Sequence, residues 1–244
     1  MKLLQNKCEI EIRIERYWDK RSGDFSKLRR KELESENYAP WRDLILSRLK
    51  NKKPLKILDV GTGAGFFAAI LSKEGHSVVG IDMSEGMIKA ARETLAAYKL
   101  NAEFIKMAAD SLDFPQESFD AVVSRNLTWT LPDAMEAYRE WHRVLKRGGI
   151  LLNFDSDVGR TEFVKKNTEK DVHFDVTADM VKECNDIKAS LRISTHTRPK
   201  WDVELLKNIG FKVEFDTDIS KIVRKDKNLV YDDLQIFGIY GEKC

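Results

Sequence analysis

The sequence predicts an α/β fold: a mostly parallel sheet with helices on both faces. From residue 57 onward, short runs rich in Val, Ile and Phe alternate with longer stretches of helical period, the pattern of βαβ units. The chain then ends with a charged return, 220–233, before one more apolar run, which favours an antiparallel last strand. At 244 residues the chain is long enough to bury one sizeable core, so one domain is expected over 1–244.

The strands are expected at 55–60 (LKILDV), 77–82 (SVVGID), 102–107 (AEFIKM), 119–124 (FDAVVS), 150–155 (ILLNFD), 211–217 (FKVEFDT) and 234–240. Helices are expected near 64–73, 85–98, 132–145 and 201–208. Pro132 suits the first turn of the third of these, and Gly148-Gly149 is read as closing it. Residues 1–54 read as N-terminal helices, over 9–20 and 25–50, with Pro40 at a break and Pro54 just before the first strand. They should pack beside the ligand edge of a core spanning 55–155. The alternation then stops across 156–198, where helical pieces near 161–168 and 177–190 suggest a small helical cap insert. Residues 199–244 complete the sheet, and KIVRKDKN within 220–233 reads as a hairpin or exposed loop.

Charged residues make up 34% of the chain, but 42 Lys+Arg against 40 Asp+Glu leave a net charge of +2. No strong overall field attracts phosphate backbones or membranes, so nucleic acid is the less favoured partner. Cys8, Cys184 and Cys244 are odd in number and form no C-x-x-C pair, which argues against a disulfide framework or zinc site and fits a reducing cytoplasm. The start, MKLLQNKCEIEIRIER, is too charged for a signal-peptide core, and no apolar run approaches the roughly 20 residues needed to span a bilayer. A soluble cytoplasmic protein is expected.

The segment ILDVGTGAGF ends an apolar strand and opens a helix, the context in which a glycine-rich string counts as a nucleotide site. Gly61, Gly63 and Gly65 permit positive φ and clear side chains from where a ligand meets the backbone. About twenty residues on, Asp82 ends the second strand, where a carboxylate can accept hydrogen bonds from ribose hydroxyls. Ser84 competes for the alternative task of capping the next helix. A dinucleotide fingerprint, G-x-G-x-x-G, would place its third small residue at Phe66, whose ring obstructs the close helix–strand approach that motif needs. The spacing is G-x-G-x-G instead, with Asp59 two residues before the first glycine.

With these motifs the chain resembles the class I S-adenosylmethionine-dependent methyltransferases, and within them the small-molecule, type 11, ubiquinone-biosynthesis-like group. The resemblance spans most of the chain and implies a Rossmann-like, mostly parallel seven-stranded sheet. It implies S-adenosyl-L-methionine as cofactor, with S-adenosyl-L-homocysteine as product. It assigns the strand-loop motif to Asp59, Gly61, Thr62, Gly63 and Gly65, and the ribose end to Asp82 and Met83 within GIDMSEGMIKAAR. The adenine end falls on AADSLDFP, through Ala109, Asp110 and Ser111, and the methionine end on Arg125 and Asn126, after FDAVVSRN. Tyr17 and Trp18 resemble the aromatic pair that covers the cofactor in many members. AYREWHRVLKRGGILLNFD resembles scaffold, so His142 carries no chemistry.

Loss of the methyl group turns a sulfonium into a neutral thioether, so the protein mainly positions the partners in line and excludes water. NLTW, 126–129, stands where methyltransferases acting on amide or exocyclic nitrogens carry an Asn/Asp-Pro-Pro-aromatic motif. Both prolines are missing, which argues against such acceptors. Tyr38, Trp41 and Trp129 are candidates for the acceptor pocket, each with core packing as the alternative. If a base is needed, His173 of the insert is the candidate, since unperturbed histidine titrates near neutrality. His173, Asp175, Cys184 and His196 lack metal-ligand spacing, so no metal is expected.

The favoured reading is in-line methyl transfer to a small-molecule acceptor by a monomer or homodimer. An RNA methyltransferase is the alternative kept open by Lys221, Arg224, Lys225 and Lys227. A non-catalytic, cofactor-binding regulatory protein is the other, since a glycine loop reports binding and not turnover.

Overall fold

The computed structural model describes residues 2–49, 54–166 and 168–244. Its seven-stranded sheet has the order β3-β2-β1-β4-β5-β7-β6. The strands are β1 (Lys56–Val60), β2 (Ser77–Asp82), β3 (Glu103–Lys106), β4 (Phe119–Arg125), β5 (Leu145–Asp155), β6 (Phe211–Asp216) and β7 (Phe237–Lys243). Strands β1 to β5 pair in parallel, and β7 runs antiparallel to both β5 and β6.

Alternation along each strand divides the core in two. Leu58, Val60, Val122 and Leu151 face a layer formed by α1 (Lys2–Leu33), α5 (Ala134–Val144), α6 (Ala178–Ser190) and α7 (Lys200–Ile209). Ile57, Val78, Ala121 and Leu152 face α2 (Tyr38–Arg48), α3 (Phe66–Lys73), α4 (Glu85–Ala97) and the short α8 (Ser220–Val223). Burial on both faces is why these strands read as continuous apolar runs.

Several boundaries differ from expectation, each for a physical reason. Helix α1 runs unbroken through RSGD, 21–24, where the sequence suggested a gap. The cost of Gly23 in a helix, about 1 kcal/mol, is outweighed by tertiary packing and by the i,i+3 pair in which Arg21 Nε donates to Asp24 at 2.9 Å. The break comes at 34–37 instead. There the buried Asn37 side chain accepts from the backbone N–H groups of Lys225 and Asp226 and donates to Tyr231. Pro40 lies in the first turn of α2, where no intrahelical acceptor is needed. Residue 50, the expected end of this helix, lies outside the described residues.

Pro132 precedes α5 instead of opening it, and Asp133 is the cap, accepting from Glu136 N–H at 3.0 Å. Gly148-Gly149 does not close that helix. The register of β4 and β5 jumps from Phe119↔Leu145 to Ala121↔Ile150, so 146–149 bulge out within β5. Gly148 adopts φ +70°, and a Cβ on Gly149 would lie 2.7 Å from the Lys146 carbonyl.

In the insert, α6 starts at the Thr177 cap as its pattern indicated, but 161–166 is not helical. Its backbone groups are taken by α6 side chains: Asn185 accepts from Phe163 N–H and donates to Phe163 O, and Lys188 donates to Thr161 O. Residue 167, in the same expected helix, lies outside the described residues. Segment 224–233 is not a free loop, since Val230 bridges to Asp171 of the insert. The last strand begins three residues later than expected, at Phe237.

The insert is bound to the sheet by a buried polar cluster. Arg198 donates to Asp202 at 2.8 Å and 2.9 Å, to Asp155 at 3.2 Å and to Thr128. Tyr138 donates to Asp202 at 2.7 Å and accepts from Asn153 at 3.0 Å. Replacing Arg198 by Met strands two buried carboxylates. The expected loss of stability is roughly 3–5 kcal/mol in urea unfolding, and a change below about 1 kcal/mol would reject this role for the cluster.

Candidate functional site

The strand order reverses between β1 and β4, and a parallel sheet opens a crevice at the carboxyl ends of its strands at such a point. The glycine loop follows β1 at this place. Thr62 N–H donates to Ile81 O at 2.9 Å, closing the loop against β2, and Gly61 and Gly63 adopt φ +66° and +52°. A Cβ on Gly61 would lie 2.7 Å from Leu127, and one on Gly63 would lie 3.0 Å from the Phe25 ring of α1. Gly65 serves differently. It is the left-handed cap of α3, and a Cβ there would press on Leu95 and Ala91, so it permits the α3–α4 approach and does not line the cleft.

Two carboxylates brace the loop. Asp59 is buried and accepts from Thr62 Oγ1 at 2.7 Å, and burial pushes its pKa up to about 7. Asp82 accepts from Gly63 N–H on one oxygen and from Ser84 N–H on the other, both at 3.0 Å, and burial pushes it up to about 6. Each Asp82 oxygen keeps a lone pair for a ligand. Ser84 caps α4 by accepting from Met87 N–H, so the capping task weighed for Asp82 falls to Ser84.

The cleft beyond the loop has about 920 Å³ of empty space, counting its open mouth. Of the expected residues, Asp59, Gly61, Thr62, Gly63, Asp82 and Met83 line it, as do Ala109, Asp110, Arg125, Asn126 and Trp18. Ser111 is exposed and outside it, and Tyr17 lines a neighbouring cavity instead. Lys7 of α1 donates to Asp110 at 2.7 Å. The sequence reading missed Phe25, Arg29, Met107 and Leu131, which also line the cleft. Phe25 and Arg29 stand at i,i+4 within the helix expected over 25–50, but nothing in that segment says which of its faces meets the glycine loop.

The neighbouring cavity, about 1670 Å³ with its mouth, shares Trp18, Phe25, Arg29, Arg125 and Asn126 with the cleft and extends beneath the insert. Trp129 and His173 line it. Tyr38 and Trp41 line neither cavity. Trp41 is 1% exposed and packs edge-on against Phe67 and Phe154, because α2 lies on the opposite layer of the sheet. His173 is pushed down to about 4 by burial and then by nearby Arg21, so at neutral pH it is an uncharged hydrogen-bonding group with little basicity. Among the described residues no three His, Cys, Asp or Glu side chains converge on a metal site.

One buried carboxylate holds the wall between the cavities. Glu32, at 0% exposure, accepts from Arg125 at 2.9 Å and 3.2 Å, from Tyr231 at 2.6 Å and from Arg29. Burial alone would raise its pKa, but the guanidiniums of Arg125 and Arg29 outweigh that and hold it at about 2. Beside this node Asn126 adopts φ +54°, with its carbonyl accepting from Trp129 Nε1 at 3.0 Å. Removing the charge by Glu32→Gln should cost roughly 3–5 kcal/mol at neutral pH, because two buried guanidiniums lose their counterion. Since the folded pKa is depressed, the difference between wild type and variant is full above about pH 4.5 and shrinks as pH falls toward 2. Thermal unfolding across that range checks it, and a pH-independent difference would reject the ionic account.

Comparison with known proteins shows what this geometry is similar to. Residues 58–153 match the type 11 family of methyltransferase domains. The demethylmenaquinone methyltransferase of Listeria monocytogenes is 36% identical over 124 residues, covering 49% of this chain and 52% of that protein. That of Geobacillus kaustophilus is 32% identical over 147 residues, covering 58% and 62%. The chain thus spans little more than half the length of the curated relatives it matches. A solved S-adenosylmethionine-dependent methyltransferase from Aquifex aeolicus shares the fold with a TM-score of 0.59 at 22% identity, over 88% of this chain and 97% of that one. From its glycine loop into β5 the chain is thus similar to the type 11 methyltransferase domains, and it shares its fold with an S-adenosylmethionine-dependent methyltransferase of known structure.

Proposed function

We propose that this protein transfers the methyl group of S-adenosylmethionine to a small-molecule acceptor held beneath the insert. The observation that carries the reading is the junction of the two cavities at Trp18, Arg125 and Asn126. A cleft suited to a nucleoside and an adjoining chamber beneath the insert meet there, as a reaction between two bound partners requires.

The residues fit the cofactor. The glycine loop draws Leu127 and Phe25 down onto its main chain, where any Cβ would collide, and so lets them wall the cleft, and Asp82 retains acceptor capacity on both oxygens for two ribose hydroxyls. Met83, Met107 and Leu131 offer apolar walls for a planar base, and Asp110 also lines the cleft. When bound, S-adenosylmethionine supplies a methyl group already activated on a positive sulfur. The protein's tasks are then to orient the acceptor and exclude water, which Trp18 and Asn126 at the junction and the insert above it would perform.

A small acceptor is favoured over RNA because Arg224, one of the cations that suggested nucleic acid, turns inward to line the chamber. The curated relatives bear the name of an enzyme of quinone chemistry, which also points to a small molecule. No described helix is long and apolar enough to cross a membrane. We place the protein in the cytoplasm, acting as one unit over 1–244.

Transfer of label from methyl-labelled S-adenosylmethionine into the low-molecular-weight fraction of a cell extract tests the reaction. Label found only in RNA, or none transferred, would reject it. By calorimetry, Asp82→Ala should weaken S-adenosylhomocysteine binding by roughly 1–3 kcal/mol. Because Asp82 becomes protonated as pH falls below about 6, wild-type affinity should decline there, and Asp82→Asn should flatten that decline.

A further inference from the structure

The chamber under the insert is built around cations that the protein itself does not fully neutralise. Arg29 and Arg125 share the single carboxylate of Glu32. Lys188 is 3% exposed, donates to the Thr161 carbonyl at 2.6 Å and forms no ion pair among the described residues. Burial lowers its pKa, and Cys184, Glu162 and Asp232, which act to raise it, do not offset that. Lys165 likewise donates only to the carbonyls of Phe174 and Val176.

Several donors around the chamber are also unused. Among the described residues the Nε groups of Arg125 and Arg224 are buried without a hydrogen-bond partner, as is the Nδ1 of neutral His173, which donates in one of its two tautomers. A buried ammonium or guanidinium with spare donors is costly unless something answers it. The wall also carries Asp232, which pairs with Arg224 at 3.4 Å, Asp233, which pairs with Lys166 at 2.8 Å, and Glu162, which leaves Lys188 without a contact ion pair, beside apolar Leu28, Trp129, Phe163 and Leu234. A neutral acceptor in this space could take up some of these donors through an oxygen atom but would leave the buried cations without a counterion.

We infer that the methyl acceptor is an anion. On the reading that this chamber is the acceptor's, it is a small molecule with an apolar body and a carboxylate or phosphate that lies among Lys188, Arg125, Arg224 and His173. The anionic group supplies the missing counterion, and the apolar body packs on Trp129 and Phe163 with its nucleophilic atom toward the junction at Asn126. The carboxylate or phosphate therefore fixes orientation as well as affinity, since charge-assisted hydrogen bonds are the stronger and more directional kind.

Calorimetry on the full chain saturated with S-adenosylhomocysteine tests this with three probes: benzoate, phenyl phosphate and benzyl alcohol. At least one of the two anions should bind about tenfold or more tighter than benzyl alcohol, and their ranking separates carboxylate from phosphate. Lys188→Met should lose that preference while still binding S-adenosylhomocysteine. Lys188→Arg and the exposed-site control Lys227→Met should keep it. Benzyl alcohol binding as tightly as both anions, or equal losses in Lys188→Met and Lys227→Met, would overturn the inference. If Lys188→Met fails to fold, the wild-type preference and its retention in Lys188→Arg decide. Failure of wild type to bind S-adenosylhomocysteine would instead remove the cofactor reading, and the same probes on the unsaturated protein would still score the anion site.

Discussion

The architecture of both cavities depends on one buried negative charge. Glu32 lies near the end of α1, and its carboxylate draws in Arg29 from the same helix, Arg125 from the end of β4 and Tyr231 from the C-terminal part of the chain. Those partners belong to three separate parts of the sequence. A full charge out of water is tolerated only when its hydrogen-bonding sites are filled, so this node fixes α1 over the glycine loop. Phe25 is thereby held above Gly63, and Trp18 at the boundary of cleft and chamber.

The rest of the site follows from the sheet. Reversal of strand order between β1 and β4 opens the crevice, and the residues just past the parallel strands surround it: the glycine loop after β1, Asp82 at the end of β2, and Asn126 after β4. A second buried cluster, Arg198 with Asp155 and Asp202, performs for the insert what Glu32 performs for α1. Both devices place irregular or peripheral chain over the ends of a rigid sheet, which is where binding residues gain precision.

Much of the scaffold was legible because its signals are local. The six-residue run SVVGID is strand β2 with the same bounds, and α6 occupies the helical piece expected near 177–190. Mistakes arose where a local signal was overridden from a distance. Gly23 suggested a break that packing suppressed, and Gly148-Gly149 suggested a helix end but forms a bulge inside a strand. Trp41 looked like a pocket aromatic and is core, because nothing in its neighbourhood says which layer α2 joins. The extended course of 161–166 depends on Asn185 and Lys188 more than twenty positions away.

The sequence by itself determined the sheet, the glycine turn and the strand-end carboxylate, because hydrophobic period and turn chemistry act between near neighbours. Only the tertiary structure decided the character of the chamber. Whether a lysine or arginine meets water or a cavity depends on partners far along the chain, and 93 positions separate Glu32 from Arg125. A near-neutral composition therefore concealed a cation-lined interior, since net charge sums over the whole surface while desolvation acts on each buried group in its own place.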